Sequence, residues 1–280
     1  MPATPQTTPD NPGPTVLLRC CSTLGCPDES LEGAVDLACR HGLGAIEVRA
    51  LGGTLDLPRY FFERFGNPAE FTVRGSSPAL PMVALNASLR LAAATAEDRE
   101  QLLALAPWAD ALSAPRIRVF DGGNTADEHE LAQARATVEW WREERRRRDW
   151  RVDLCVETHD SLVTTPAILR FVRAVPGVPV LWDAHHTWRR GGEEPLLTWQ
   201  AIRRHVVHVH VKDSINVPSA RHPHTYVLPG EGDFPIAPLL AALRADGFSG
   251  PVSLEWEKLW HPYLPSLDAA LSHAKARGWW

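Results

Sequence analysis

Short apolar runs alternate with longer amphipathic stretches eight times along the chain. The runs are rich in β-branched residues and have the length of strands, whereas the stretches between them have helical spacing. Strands are predicted over residues 15–20, 44–49, 81–86, 116–121, 151–157, 179–183, 206–211 and 251–256. Helices are predicted near residues 28–41, 57–66, 97–113, 126–149, 164–174, 193–204, 235–246 and 265–277. This alternation predicts parallel strands joined by helical crossovers.

Eight strand–helix units in 280 residues are typical of a (β/α)8 TIM barrel, which needs about 250 residues. No shift in composition marks an internal boundary, so residues 15–280 are predicted to form one α/β domain. Residues 1–14 are rich in Pro and Thr and are predicted to be a disordered leader. They have neither the basic start nor the apolar stretch of a signal peptide.

Composition and charge exclude several classes of function. Apolar residues make up 44% of the chain and charged residues 22%, which is enough apolar material for a sizeable core. The formal charge of −5 gives no overall attraction to nucleic acid or to an anionic membrane. No apolar run approaches the roughly 20 residues that a membrane helix needs. We therefore expect a cytoplasmic protein that binds a small molecule and has no nucleic-acid or membrane partner.

The polar residues of the predicted strands fall on one alternating face. Apolar residues occupy the other face, as Ile46 and Val48 do, and this face should contact the helices. Toward the carboxyl ends, the polar face carries Glu47, Arg49, Asn86, Arg118, Glu157, Asp183, His208, His210 and Glu255. These side chains should point into the upper barrel, where enzymes of this fold place their chemistry. Burial of unpaired charges is costly, so ordinary core packing does not explain them.

Four of these residues predict a metal site. Glu157, Asp183, His210 and Glu255 lie at the ends of the last four strands, in the strings VETHD, WDAHH, HVHVKD and SLEWE. Three carboxylates in one pocket repel one another unless they are protonated or neutralised by a cation. Oxygen ligands with one imidazole suit a single divalent ion, Mn²⁺ first, with Mg²⁺, Co²⁺ or Zn²⁺ as alternatives.

At these residues the chain resembles the xylose-isomerase-like barrel superfamily, also called the sugar phosphate isomerase/epimerase family. The resemblance is strongest over residues 151–262 and includes LPGEGDFPIAPLLAALRADGFSGPVSLEWE. It implies that the four residues bind the metal, that Glu157 and Glu255 exchange protons with the substrate, and that His186 contacts a substrate oxygen. In the ketose epimerases an Arg follows the metal-binding His by six residues, whereas this chain has Asn216. The pair Lys212 and Asp213 is more similar to the isomerase and dehydratase branches.

Further residues are candidates for substrate contacts. Glu47, Arg118 and Lys212 could bind substrate hydroxyls or a carboxylate, or pair with one another inside the barrel. Trp188 is predicted near the barrel mouth, where an aromatic face could pack on a sugar. His208 is expected to make a structural hydrogen bond. The long loop over residues 214–233 is expected to cover the mouth, where it would close over substrate or contribute to a homodimer.

These features predict a metal-dependent isomerase or epimerase of carbohydrate metabolism, acting on a sugar, keto-sugar or related polyol. The metal would act as a Lewis acid and stabilise an enediolate. A lyase or dehydratase acting on a keto-polyol or keto-glycoside is the main alternative, since the same base can expel a β-hydroxyl. An endonuclease IV-like nuclease would need additional histidines on earlier strands, where the chain has Asn86, Phe120 and Asp121. A non-catalytic barrel subunit is the remaining alternative.

Overall fold

The computed structural model describes residues 16–73 and 78–279. The predicted leader, residues 1–14, lies outside the described residues. In chain order the strands are β1 (Leu18–Ser22), β2 (Ala45–Val48), β3 (Met82–Arg90), β4 (Arg116–Phe120), β5 (Asp153–Glu157), β6 (Val180–Asp183), β7 (Val206–Val211), β8 (Asp213–Ile215), β9 (Thr225–Val227) and β10 (Pro251–Leu254). All except β8 and β9 belong to one closed barrel of eight parallel strands, in which β1 pairs with both β2 and β10. The predicted (β/α)8 fold is confirmed.

Helices connect the barrel strands. They are α1 (Leu31–Arg40), α2 (Leu57–Phe65), α3 (Pro68–Val73), α4 (Ala96–Ala111), α5 (Glu128–Arg148), α6 (Thr165–Ala174), α7 (Ala184–Arg189), α8 (Pro195–Ile202), α9 (Ile236–Ala245) and α10 (Leu267–Ala276). Several are capped by a polar side chain that accepts a hydrogen bond from a backbone N–H of the first turn. At α4 the Thr95 side chain accepts from the backbone N–H of Asp98, and the Asp98 side chain accepts from that of Thr95. Within the described residues, no helix is both long and apolar enough to cross a membrane.

The alternating pattern of the strands separates the core into two layers. Ile46, Val48, Val119 and Val209 are fully buried in the layer between strands and helices. Trp182 also lies in this outer layer and stacks on Trp199 with ring centroids 6.0 Å apart. The residues of opposite parity fill the barrel interior and are polar near the carboxyl ends of the strands. The barrel therefore concentrates its buried charges at one end.

Four elements differ from the predicted pattern. Helices α3 and α7 are additional to the eight predicted ones, and β8 and β9 form an antiparallel hairpin within the segment predicted as a loop. Asp213, at the start of β8, accepts hydrogen bonds from the backbone N–H groups of Gly230, Gly232 and Phe234. This carboxylate therefore fixes the glycine-rich segment after the hairpin against the end of β7.

Candidate metal centre and active-site cavity

The structure brings Glu157, Asp183, His210 and Glu255 together at the carboxyl end of the barrel. Each is buried, and each offers one ligand atom within 4.8 Å of the others. The strand register produces this convergence, because Asp183 of β6 is the register partner of His210 of β7. Glu255 directly follows β10, whose Leu254 pairs with Val211.

The atoms of this cluster fit a divalent cation. His210 Nδ1 is buried and makes no hydrogen bond, whereas Glu157 Oε2 and Asp183 Oδ2 each lie beside a cation, Arg118 Nε at 3.1 Å and Lys212 Nζ at 2.8 Å. Three buried carboxylates and an imidazole nitrogen without a partner are costly in a protein interior unless another group, such as a metal ion, binds them. Carboxylate oxygens and one imidazole nitrogen form a donor set that Mn²⁺, Mg²⁺, Co²⁺ or Zn²⁺ accepts. The cluster can therefore hold a divalent metal, and the identity of the ion stays a prediction.

A buried carboxylate sets the orientation of His210. Its Nε2 lies 2.8 Å from Oε2 of Glu47, while its Nδ1 lies 3.4 Å from Oε1 of Glu255. Because a carboxylate only accepts, His210 carries a proton on Nε2. Burial opposes its protonation, but Glu47 and Glu255 raise the pKa of His210 well above its usual value, so Nδ1, which faces the cluster, would give up its proton only when a cation binds there. This is the carboxylate–histidine arrangement that supports metal ligands in other proteins.

Glu47 does not lie where a substrate contact requires it. It is fully buried, and its Oε1 accepts a hydrogen bond of 2.5 Å from Asn86 Nδ2. Burial opposes its ionisation, but His210 and His208 hold the pKa of Glu47 well below its usual value. Glu47 was predicted to contact substrate, and the structure instead places it against His210, whose ring it orients. The predicted structural hydrogen bond of His208 is present, with its Nε2 2.6 Å from Ser253 Oγ.

Replacement of Glu47 with Gln is expected to weaken Mn²⁺ binding about ten- to a hundredfold, because a neutral amide holds the His210 ring less firmly. Titration calorimetry with Mn²⁺ measures the affinity. Nitrogen NMR of labelled histidine should show that the fraction of His210 protonated on Nε2 falls in the variant. An unchanged affinity together with an unchanged tautomer would contradict this role; Glu139→Gln on the exposed face of α5 is the control.

Lys212 lies against the cluster rather than in an open substrate site. Its buried ammonium is 2.8 Å from Asp183 Oδ2, 2.5 Å from Glu255 Oε2 and 2.6 Å from Glu257 Oε1. Burial alone would lower the pKa of Lys212, but the three carboxylates raise it well above its usual value. Of the two roles that the sequence allowed for Lys212, the structure shows internal ion pairing. Lys212 is not placed to contact a substrate.

His186 is positioned by the first turn of α7. Its backbone N–H donates to Asp183 Oδ1 at 2.8 Å, so Asp183 caps the helix with one oxygen and keeps the other for the cluster. The ring Nδ1 is 3.0 Å from the carbonyl of Thr158, which can only accept, and the proton is therefore assigned to Nδ1. Burial, and next the charge of Lys212, lowers the pKa of His186 well below its usual value. The imidazole is neutral, and its Nε2 accepts a long hydrogen bond of 3.4 Å from Lys212 Nζ.

The cluster borders a cavity of about 540 Å³ that is large enough for a sugar-sized molecule. Of the four cluster residues, only Glu157 and Glu255 line it. The predicted contacts Arg118 and His186 also line it, together with Leu24, Arg49, Ser88, Arg90, Ala93, Thr95, Asp98, Phe120, His159, Glu257 and Trp260. Sequence reasoning missed His159 and Glu257 as site residues. Each lies two positions after a glutamate of the cluster, so its side chain continues the inward-facing alternation of the strand. Extending that alternation past the strand end would have identified both residues.

Two predicted features of the mouth do not line the cavity. Trp188 does not line the cavity; its ring packs against Phe234 and His185 at centroid distances of 5.3 and 5.5 Å, and the guanidinium of Arg189 lies 4.0 Å from its centroid. No described residue of the loop 214–233 lines the cavity either. Its residues His222 and His224 instead pack ring to ring, with centroids 5.0 Å apart. Asn216 is exposed.

A model of the xylose isomerase-like TIM barrel family matches residues 35–277. The chain belongs to this family, and the resemblance noted in its sequence is confirmed. Comparison of the sequence with curated proteins gives no significant match.

Several solved structures are similar to this chain. The probable 3-DHS dehydratase AsbF of Bacillus anthracis shares 20% identity, with 92% of this chain and 96% of its own covered, at a TM-score of 0.69. The IolI protein, solved with a bound zinc atom, shares 18% identity over 93% of this chain and 96% of its own, at a TM-score of 0.68. A D-tagatose 3-epimerase-like protein shares 15% identity over 93% and 95% of the two chains, at a TM-score of 0.65. Likeness at these identities shows the fold alone.

Proposed function

We propose that this protein is a divalent-metal-dependent isomerase or epimerase that acts on a sugar, keto-sugar or related polyol. The observation that carries the proposal is the unequal exposure of the cluster. Glu157 and Glu255 reach the cavity, whereas Asp183 and His210 do not line it. Two carboxylates that face one cavity from neighbouring positions can remove a proton from a bound substrate and return it.

When bound by the cluster, a divalent cation would act as a Lewis acid on a substrate carbonyl and the adjacent hydroxyl. The two glutamates both lie close to the imidazole, with their Oε1 atoms 3.8 Å (Glu157) and 3.4 Å (Glu255) from His210 Nδ1. Each is held by its own cation: Arg118 Nε lies 3.1 Å from Glu157 Oε2, and Lys212 bonds Glu255. These contacts fix both carboxylates in the geometry needed for proton exchange.

His186 gives the cavity a neutral group between the two glutamates and Lys212. Its Nε2 lies 3.4 Å from Lys212 Nζ. A substrate hydroxyl that replaced this long contact would donate a hydrogen bond to Nε2, which would orient the carbon that loses its proton.

A lyase or dehydratase is the second candidate. The observation that favours it is the exposed position of Asn216, six residues after His210, where ketose epimerases carry a substrate-binding Arg. One of the two glutamates would then take the proton from the carbon, and the other would protonate the β-hydroxyl so that it leaves as water.

Incubation of the purified protein with Mn²⁺ and a panel of keto-sugars in D₂O tests the proposal. An isomeric product that contains solvent deuterium at the reacting carbon is the expected result. A product lighter by one water would instead support elimination. The panel includes keto-sugar acids as well as neutral keto-sugars, and no turnover of any member by the wild-type protein would contradict both functions and leave a non-catalytic barrel.

A further inference from the structure

The cavity wall formed by β2, β3 and β4 is rich in guanidinium groups. Arg49, Arg90 and Arg118 all line the 540 Å³ cavity. Arg49 and Arg118 lie side by side, because their Nη1 atoms donate to consecutive carbonyls of β3, Asn86 O at 3.4 Å and Ala87 O at 3.1 Å. This wall is adjacent to the metal cluster, since Arg118 contacts Glu157.

Arg49 is a buried cation with neutral partners. Only 6% of its surface is exposed, and its second hydrogen bond goes to Ser88 Oγ at 2.9 Å. Among the described residues, the structure gives its guanidinium no carboxylate partner. Burial, and next the charge of Arg118, lowers the pKa of Arg49 to about 9. A buried charge without a counterion is unfavourable, and an anion from the cavity would provide one.

Arg118 strengthens this preference for an anion. Its carboxylate partner is Glu157, which also belongs to the metal cluster. When Glu157 shares its charge with a divalent cation, less of that charge is left for Arg118. The guanidinium lies 4.1 Å from the ring centroid of Phe120, which fixes its plane beside Arg49.

We infer that the substrate is a polyhydroxylated acid whose carboxylate is bound by Arg49, with Arg118 beside it. The inference rests on the proposed function, because it takes this cavity as the substrate site. A carboxylate, which carries one negative charge, fits this cavity better than a phosphate, which carries nearly two. Glu157, Glu255, Glu257 and Asp98 line the same cavity and would repel a dianion, while of the three lining arginines Arg118 is paired with Glu157 and Arg90 is exposed, which leaves Arg49 as the buried one free to bind an anion.

The carboxylate would lie over β2 to β4 while the carbonyl and hydroxyl end lies at the cluster over β5 to β7. A carboxylate matches the two parallel N–H groups of a guanidinium and forms charge-assisted hydrogen bonds with them. Arg49 would thus select acids over neutral sugars of the same carbon skeleton.

Binding of xylitol, xylonate and xylitol phosphate to the Mn²⁺-loaded protein tests this inference. These probes share one carbon chain and differ in the charged group. By titration calorimetry, we expect xylonate to bind about tenfold or more tightly than xylitol. The preference should be lost in Arg49→Gln and kept in Arg173→Gln, a matched loss of charge at an exposed position on α6.

The Arg49→Gln variant distinguishes binding of the carboxylate by Arg49 from its direct binding to the metal ion. A preference for xylonate that persists in Arg49→Gln would mean that the acid binds the metal alone, and would overturn the inference. Equal binding of xylitol and xylonate would also overturn it, without affecting the proposed function. If xylitol phosphate bound more tightly than xylonate, and Arg49→Gln abolished that binding, the anion that Arg49 recognises would be a phosphate and the inference of a carboxylate would be wrong. If the protein binds Mn²⁺ but none of the three probes, the cavity is not a polyol site and the proposed function itself fails.

Discussion

Replacement of Glu255 with Gln should lower turnover by about a thousandfold, within the usual range for loss of a general acid or base. Glu255 belongs to the metal cluster and lines the cavity, so the change removes both a ligand charge and a proton acceptor. Gln has nearly the same volume, and it also removes one of three mutually repelling carboxylates, so the fold should be retained. The measurement is kcat with saturating Mn²⁺ on the substrate that the D₂O panel identifies.

The exposed Glu139→Gln on α5 is a matched control that removes the same charge away from the cavity. It should keep full activity. If Glu255→Gln retained more than about a tenth of wild-type kcat, proton exchange at this carboxylate would be excluded. Near-UV circular dichroism of both variants distinguishes loss of chemistry from loss of fold.

Replacement of Lys212 with Met should destabilise the metal-free protein by about 3–5 kcal/mol, the usual effect of removing one partner from a buried ion pair. Asp183, Glu255 and Glu257 would lose the ammonium that all three contact. Urea unfolding in EDTA measures the loss, with the exposed Lys275→Met on α10 as control. Excess Mn²⁺ should restore more stability to the variant than it adds to wild type, because the ion replaces part of the missing positive charge.

This difference should also depend on pH. Although burial opposes ionisation, Lys212 holds the pKa of Glu257 at about 2, below its ordinary value of 4.5. Because the folded-state pKa is lowered, the stabilisation is fully present above about pH 4.5 and is lost as the pH falls toward 2. The deficit of Lys212→Met should therefore be largest near neutral pH and shrink in acid. A loss below about 1 kcal/mol at neutral pH would contradict the role assigned to the ammonium.

The barrel and its charged end could be predicted because strand parity is a local property. Alternation of apolar and polar residues fixes which side chains face inward, and the eightfold βα pattern fixes which strand ends meet. Glu157, Asp183, His210 and Glu255 follow from these two facts. His159 and Glu257 also face inward, but they lie just beyond the ends of β5 and β10, where the chain is no longer required to alternate as a strand does.

Other parts depend on contacts that no local pattern encodes. Glu47 has the inward parity of a substrate ligand, yet its depth in the barrel places it under His210 instead of in the cavity. Helix α7 is only six residues long and begins at the cap formed by Asp183, so its apolar pattern is too short to detect. Its rotation directs Trp188 toward Phe234 and away from the cavity. The hairpin of β8 and β9 pairs strands of three residues each, which are shorter than a periodicity can show.

The most direct test of the metal centre is the number of ions that each chain binds. The protein is stripped with a chelator and dialysed against Mn²⁺, and the bound metal is counted by elemental mass spectrometry, with wild type and Asp183→Asn compared side by side. We expect one ion per chain in wild type and a large loss in the variant, because Asp183 belongs to the four-residue cluster and its Oδ1 already caps α7, which leaves Oδ2 for the ion. A wild-type chain that binds no ion, or a variant that binds one as tightly, would contradict the metal centre.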